Sequence, residues 1–259
     1  MANPSNANIY GTRTQLTEDQ SFYFACHPGV ACFTRCCHNT DMYLYPYDII
    51  RLKNRLNMTS DAFLDRYTVT AVRDNPYFPH VMLKMADTGK KPCPFLSDQG
   101  CTVYEDRPFS CRAYPLEPAV SRQPGHEGKT LFFIVRHPYC EGHEANNALT
   151  VGEWIADQQM EPFLESNAAW VVVDSILRNN PWGDQGMESP ALKMAFMACF
   201  NVDQFRSFVF NSSFLERFAV PQDRLAAIRA EDRALMLFGF DWVRFMLTSG
   251  GPVASMQRR

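Results

Sequence analysis

Cys26, Cys32, Cys36, Cys37, Cys93, Cys101, Cys111 and Cys140 put eight of the nine cysteines within residues 26–140, and nothing else in the sequence constrains the fold as strongly. A hydrophobic core has no need of thiols at that density. Thiolates are soft ligands that select zinc, copper(I) or iron–sulfur clusters. The short loops between several of these cysteines can fold back on one centre, so this stretch reads as a fold organised around a metal or an inorganic cluster.

The rest of the composition narrows the setting. A chain of 259 residues with twenty Phe and ten Tyr can bury a substantial core. Its net charge of −3 supplies no basic field for nucleic acid or an anionic membrane. The first twenty residues are polar and lack the apolar region of a secretory signal. No run approaches the ~20 apolar residues of a membrane span, and Asp174 ends the dense stretch Ala169–Val173. These features predict a cytoplasmic chain with no membrane span and no nucleic-acid partner. In a reducing compartment a cysteine array reads as metal-binding or redox-active before it reads as disulfides. A disulfide scaffold is the alternative, with small secreted domains as its usual hosts.

The pattern along the chain predicts an α+β protein: a small cysteine-rich half with short strands and helices, then a mainly helical half. Residues 1–20 are expected to be a flexible lead, 21–146 a cysteine-cluster metal-binding domain, 147–250 a helical region packed on it, and 251–259 a tail. Phe22-Tyr23-Phe24 reads as a strand leading to Cys26. Pro46 opens a helix carrying Ile49, Ile50, Leu52 and Leu56, and Thr59 or Ser60 caps a second with Phe63, Leu64 and Tyr67. This pair is expected to buttress the first cysteine loop. Val81–Met85 reads as a strand, and Pro94–Leu96 with Thr102–Tyr104 as a hairpin about the turn Ser97–Gly100. Pro108 opens a helix containing Cys111, Leu131–Val135 is a strand, and Gln123–Gly128 is a loop. Thr150 and Glu153 have capping-box spacing ahead of a helix through Trp154, Ile155, Phe163 and Leu164. Ser189-Pro190 opens another helix, through Met194 and Phe196 to Cys199. Pro221 precedes a last helix in which Ile228, Leu235 and Trp242 recur every seventh residue beside Phe238 and Phe245, a stripe suited to core packing.

Two cysteine motifs carry the chemistry. The first reads Cys26-x5-Cys32-x3-Cys36-Cys37. Adjacent cysteines aim their side chains apart, so Cys36 and Cys37 suit two neighbouring sites or separate irons of one cluster. The second runs from Cys93-Pro94-Phe95-Leu96 through Cys101-Thr102-Val103-Tyr104 to Arg107-Pro108-Phe109-Ser110-Cys111-Arg112-Ala113-Tyr114-Pro115. This arrangement resembles the cysteine-cluster family described as a zinc- or iron-chelating domain, of which the flagellin lysine-N-methylases carry a version. Cys93, Phe95, Leu96, Cys101, Val103, Tyr104, Arg107, Pro108, Cys111, Arg112, Tyr114 and Pro115 match its second signature position by position. The first motif is spaced more widely than is usual there. The resemblance covers about Phe22 to Cys140 and implies metal, with all eight clustered cysteines as candidate ligands.

Four thiolates fit tetrahedral zinc or an iron–sulfur cluster. Repeated Cys-x2-Cys knuckles are missing, and Phe24, Phe33, Phe95 and Tyr104 offer apolar shielding, which favours an iron–sulfur cluster over zinc. Arg35, Arg107, Arg112 and Arg136 lie close enough in sequence to offset thiolate charge, or else pair with Glu105, Asp106 or Glu117. His27, His38 and His137 are alternative ligands. Cys199, alone in an apolar run, reads as a small buried hydrophobe. The function expected is metal binding through the cluster, with a redox or cluster-dependent role. The alternatives are an S-adenosylmethionine-dependent protein methyltransferase-like enzyme, borrowed from the methylases, and a structural zinc module supporting an interaction surface for an unidentified protein partner. No glycine-rich loop after a strand supports the methyl-donor site, and resemblance limited to the cluster does not carry the reaction.

Overall fold

A computed structural model describes residues 12–121, 128–248 and 256–258 of the chain. Its contacts divide the chain into two units, Met1–Met42 with Lys84–Leu164 and Tyr43–Leu83 with Glu165–Arg259. The architecture is α+β, with small sheets and with helices concentrated in the C-terminal half.

The first unit carries every clustered cysteine. Its main sheet is three-stranded and antiparallel, with Thr130–Arg136 between Thr12–Leu16 and Leu116–Val120. Ile134 pairs with Thr14 on one side and Leu116 on the other, and Phe132 and Ile134 are buried. Thr12–Leu16 is therefore a strand where a flexible lead is expected: its backbone groups are taken up by the edge of Thr130–Arg136. Residues 1–11 of that expected lead lie outside the described residues. So does the expected loop up to residue 127.

A second pairing joins Ser21–Tyr23 to Ala148–Thr150. There Thr150 and Glu153 form the capping box that opens helix Val151–Asp157. Trp154 on this helix meets Phe22 and Phe24 edge-on, with centroids 6.1 and 5.5 Å away, and its indole N–H donates to the Ala113 carbonyl at 3.0 Å. The helical run expected from Trp154 through Leu164 is broken, because Gln159 takes a left-handed φ of 51° before a new helix starts at Glu161.

The second unit is mainly helical. Pro46–Arg55 and Ser60–Tyr67 belong to it, with Pro190–Phe200, Val202–Asn211, Gln222–Ala230 and Asp232–Leu247. The two helices expected beside the first cysteine loop thus lie in the unit that does not carry the clustered cysteines. The reason is polar as well as apolar. Lys53, almost fully buried, reaches Asp203 at 3.2 Å and Asp232 at 2.9 Å. Thr59 sits at the N-cap position of Ser60–Tyr67 but makes no capping hydrogen bond; Asp203 accepts from the Ser60 amide at 2.7 Å instead.

The expected last helix is two helices, separated where Glu231 adopts an extended backbone, so Ile228 lies on the first of them. Leu235, Phe238, Trp242 and Phe245 are buried, as their spacing predicts, and so is Trp154 in the first unit. The strand expected over Val81–Met85 is observed as His80–Leu83, paired with Thr68–Ala71. In the expected tail, Gln257–Arg258 pairs with Phe218–Ala219. Among the described residues no helix is long and apolar enough to cross a membrane.

Candidate metal centre

The first cysteine loop is a succession of tight turns. The amides of Val30, Phe33, Arg35 and Cys37 each donate to the carbonyl three residues back, and Thr34 adopts a left-handed φ of 64° ahead of the 3-10 turn Arg35–Cys37. Such a chain keeps its side chains outside the turns and carries Cys32, Cys36 and Cys37 on one short loop. The second motif then joins it through the backbone. Asn39 donates to Lys91 at 2.9 Å, Cys93 donates to Cys37 at 2.8 Å, and His38 bridges Pro92.

Cys101 is brought alongside by the hairpin Leu96–Ser97 and Gly100–Cys101, tighter than expected because the chain leaves the sheet after Cys101. Gly100 is required there: its φ is 109°, and a side chain would press on Phe33. Pro108 stands at the N-cap position of the short helix Phe109–Ala113, which holds Cys111 with its sulfur 3.9 Å from Met42 Sδ. At the far end, Cys140 follows strand Thr130–Arg136. The amide of Glu141 donates to Cys32 Sγ at 3.1 Å, and the Ala25 amide donates to the Gly142 carbonyl at 2.9 Å.

The thiols therefore form two neighbouring groups, Cys26, Cys32 and Cys140 in one and Cys36, Cys37, Cys93, Cys101 and Cys111 in the other. Their electrostatics show the proximity. A hydrogen bond from Cys37 holds the Cys36 thiol down to about 7, and the same bond, burial and the charges of Cys36, Cys111 and Cys93 push Cys37 up. Burial, then Cys36, Cys140 and Cys32, push Cys26 up to about 11. Burial likewise raises Cys93, Cys101 and Cys140. Cys36 interacts with Cys26, Cys37 and Cys93, and so links the two groups. Like charges this close disfavour one another, and a bound cation supplies the missing counter-charge. Among the described residues no three His, Cys, Asp or Glu side chains close around a single point as a formed metal-ion site. The sulfurs are neighbours, and their chemistry as a soft donor set fits zinc, iron or an iron–sulfur cluster.

Arg107 and Arg112 are buried beside them. Arg107 lies over the Tyr104 ring at 3.9 Å, donates to the Tyr104 carbonyl at 2.5 Å and to Gln158 Oε1, and its charge favours the thiolates of Cys26 and Cys101. Arg112 lies over Phe163 at 4.7 Å and donates to the carbonyls of Gln158 and Glu105. Both arginines thus tie backbone segments together. Arg35 donates to the Tyr139 carbonyl at 3.1 Å and faces Glu141 at 3.6 Å, while Arg136 ends the central strand opposite Thr12.

Phe24 and Phe95 are buried, whereas Tyr104 is 49 % exposed and shields little. The histidine rings have other engagements. His27 Nδ1 accepts from the Gly29 amide at 3.1 Å, His38 Nδ1 lies 3.2 Å from the Thr34 carbonyl, and His137 stacks on Tyr114 and Tyr139. Cys199 is buried in helix Pro190–Phe200, where burial pushes its thiol up, and it packs as an apolar side chain.

Two features had weak sequence signals. Tyr114, noted only as part of the second signature, has its hydroxyl 3.3 Å from His143 Nε2, and burial and then Cys140 push that hydroxyl up. A cavity of about 450 Å³ opens beside Cys26, lined among others by Ala25, His27, Val30, Glu141, Gly142 and Glu144. Its walls lie more than a hundred residues apart in the chain, so no local pattern announces it.

This arrangement defines a metal-chelating domain built from free thiols on short loops. Residues 25–141 match the CxxCxxCC family, described as "Putative zinc- or iron-chelating domain". No curated protein and no solved structure matches the chain.

Proposed function

We propose that the thiol array holds an iron–sulfur cluster and that redox or cluster-dependent chemistry is the protein's function, carried out in the reducing cytoplasm. The observation that supports this reading is the linkage of the two thiol groups through Cys36. A single zinc ion takes four ligands at one point, whereas a polynuclear cluster accepts thiolates spread over several metal atoms. The ligands would come from Cys26, Cys32, Cys36, Cys37, Cys93, Cys101, Cys111 and Cys140. A bound cluster supplies one-electron chemistry or Lewis-acidic iron. The chain contributes the rest: Arg107 offsets thiolate charge, and Phe24 and Phe95 keep water from one side of the array.

Anaerobic purification followed by iron, zinc and acid-labile sulfide analysis and electron paramagnetic resonance tests this. Iron and sulfide in comparable amounts, with a cluster signal after reduction, are expected. Stoichiometric zinc without sulfide would replace the iron–sulfur reading with a zinc centre.

A further inference from the structure

The walls of the cavity beside Cys26 are immediate chain neighbours of three thiols. Ala25 and His27 flank Cys26, Ala31 precedes Cys32, and Glu141 follows Cys140. Two hydrogen bonds lock the facing segments together. The Ala25 amide donates to the Gly142 carbonyl at 2.9 Å, and the Glu141 amide donates to Cys32 Sγ at 3.1 Å. His27 is fixed at two points, its carbonyl accepting from Val30 at 2.9 Å and its Nδ1 from Gly29 at 3.1 Å. The fold itself thus forms the space, and its volume of about 450 Å³ is that of a small-molecule site.

The lining selects the ligand. Glu141 and Glu144 place two carboxylates on the wall, and among the described residues no lysine or arginine lines it. Glu141 shares its charge with Arg35 at 3.6 Å, whereas Glu144 has no basic partner among the described residues. Asn146 and Asn147 bring amide carbonyls that accept hydrogen bonds, and Val30 and Ala145 bring apolar surface. Carboxylates short of counter-charge beside an apolar wall suit an ammonium group on a short alkyl chain. A bare metal ion fits poorly. The volume far exceeds that of an ion, and among the described residues no three His, Cys, Asp or Glu side chains close around one point.

We propose that this cavity binds a small aliphatic amine beside the Cys26, Cys32 and Cys140 end of the thiol array. The binding site stands on the cavity and its lining. That the bound amine meets a metal centre rests on the function proposed above.

Calorimetric titration of the full-length, metal-loaded protein with n-butylamine at pH 7 tests it, with sodium butyrate and magnesium chloride as the opposing probes. Saturable binding of butylamine at about millimolar concentration is expected, and none of butyrate. Glu144→Gln keeps the shape of the wall and removes its charge, so it should weaken butylamine about tenfold. Glu188→Gln, an exposed carboxylate of the other unit, should leave binding unchanged. No saturable butylamine heat, equal binding of butyrate, or parental affinity in Glu144→Gln overturns the amine site and leaves the metal reading intact. Saturable magnesium binding that Glu144→Gln abolishes, and that butylamine does not displace, overturns it in favour of an ion. A preparation that binds butylamine as expected but holds neither iron nor zinc overturns the proposed function and leaves the amine site standing.

Discussion

The amide of Cys93 donates to the carbonyl oxygen of Cys37 at 2.8 Å, and at this bond the two cysteine motifs become one site. With the Asn39–Lys91 bond and the His38–Pro92 bridge it forms a short antiparallel seam, so backbone pairing brings the two cysteine motifs side by side. The two helices of Pro46–Arg55 and Ser60–Tyr67 lie between these motifs in sequence and belong to the other unit. The chain leaves the cysteine unit after Met42 and returns at Lys84.

Cys101 and Cys111 belong to the second signature and to the thiol group around Cys36 and Cys37. Replacing either with Ser keeps the size and removes a soft donor. Metal content should fall to below half in each, and protease protection of residues 25–141 should weaken, since binding energy at such a site is also folding energy. Cys199→Ser is the control and should retain parental metal content. Full metal stoichiometry in both Cys101→Ser and Cys111→Ser would falsify their assignment as ligands.

Arg112 is buried, reaches two backbone carbonyls and lies on Phe163. Its flat, forked head does what a lysine ammonium does not. Arg112→Ala should destabilise the protein by about 3 kcal/mol, and Arg112→Lys should recover less than half of that. Urea unfolding followed by circular dichroism measures both. Parental stability in Arg112→Lys would show that charge alone suffices.

Asp232 faces Lys53 at 2.9 Å, Arg206 at 2.6 Å and the Asn54 amide at 3.1 Å. Burial alone would raise its carboxyl, but these partners outweigh burial and hold it below the ordinary value. A carboxyl lowered on folding contributes stability above its unfolded value and loses that contribution as pH falls through the folded one. Stability should therefore decline on acidification below about pH 4. Asp232→Asn should flatten this decline and cost about 2 kcal/mol at pH 7, less than a fully broken buried pair because Lys53 keeps Asp203. Denaturation midpoints measured from pH 7 to pH 2.5 check the slope.

Gly142 sits where the segments carrying Cys26 and Cys140 cross. A Cβ there would stand 2.5 Å from the Ala25 carbonyl oxygen and 2.8 Å from the Phe24 ring. Gly142→Ala must push the two segments apart, at a cost of roughly 1–3 kcal/mol. Metal retention under chelator should weaken with it. Gly152→Ala, whose Cβ meets an ordinary contact at 3.6 Å, should leave retention unchanged.

The local signals in the sequence were read where a short pattern has one physical meaning. The Thr150–Glu153 capping box, the helix start at Ser189-Pro190 and the turn between Leu96 and Cys101 are settled by neighbours within a few residues. The periodicity of Leu235, Phe238, Trp242 and Phe245 marked a buried face for the same reason. Short breaks were harder: the left-handed Gln159 and the extended Glu231 interrupt runs whose composition alone permits a continuous helix.

The sequence by itself determined the class of protein, because eight thiols in that spacing have few uses other than holding a soft metal. Tertiary structure decided which thiols are neighbours. It grouped Cys32 with Cys140 and Cys37 with Cys93, set Tyr114 against His143, and let Asp203 cap a helix that Thr59 leaves uncapped. Those pairings join residues tens to more than a hundred positions apart. Their energies depend on distance and burial after folding, and no local pattern of residues encodes either quantity.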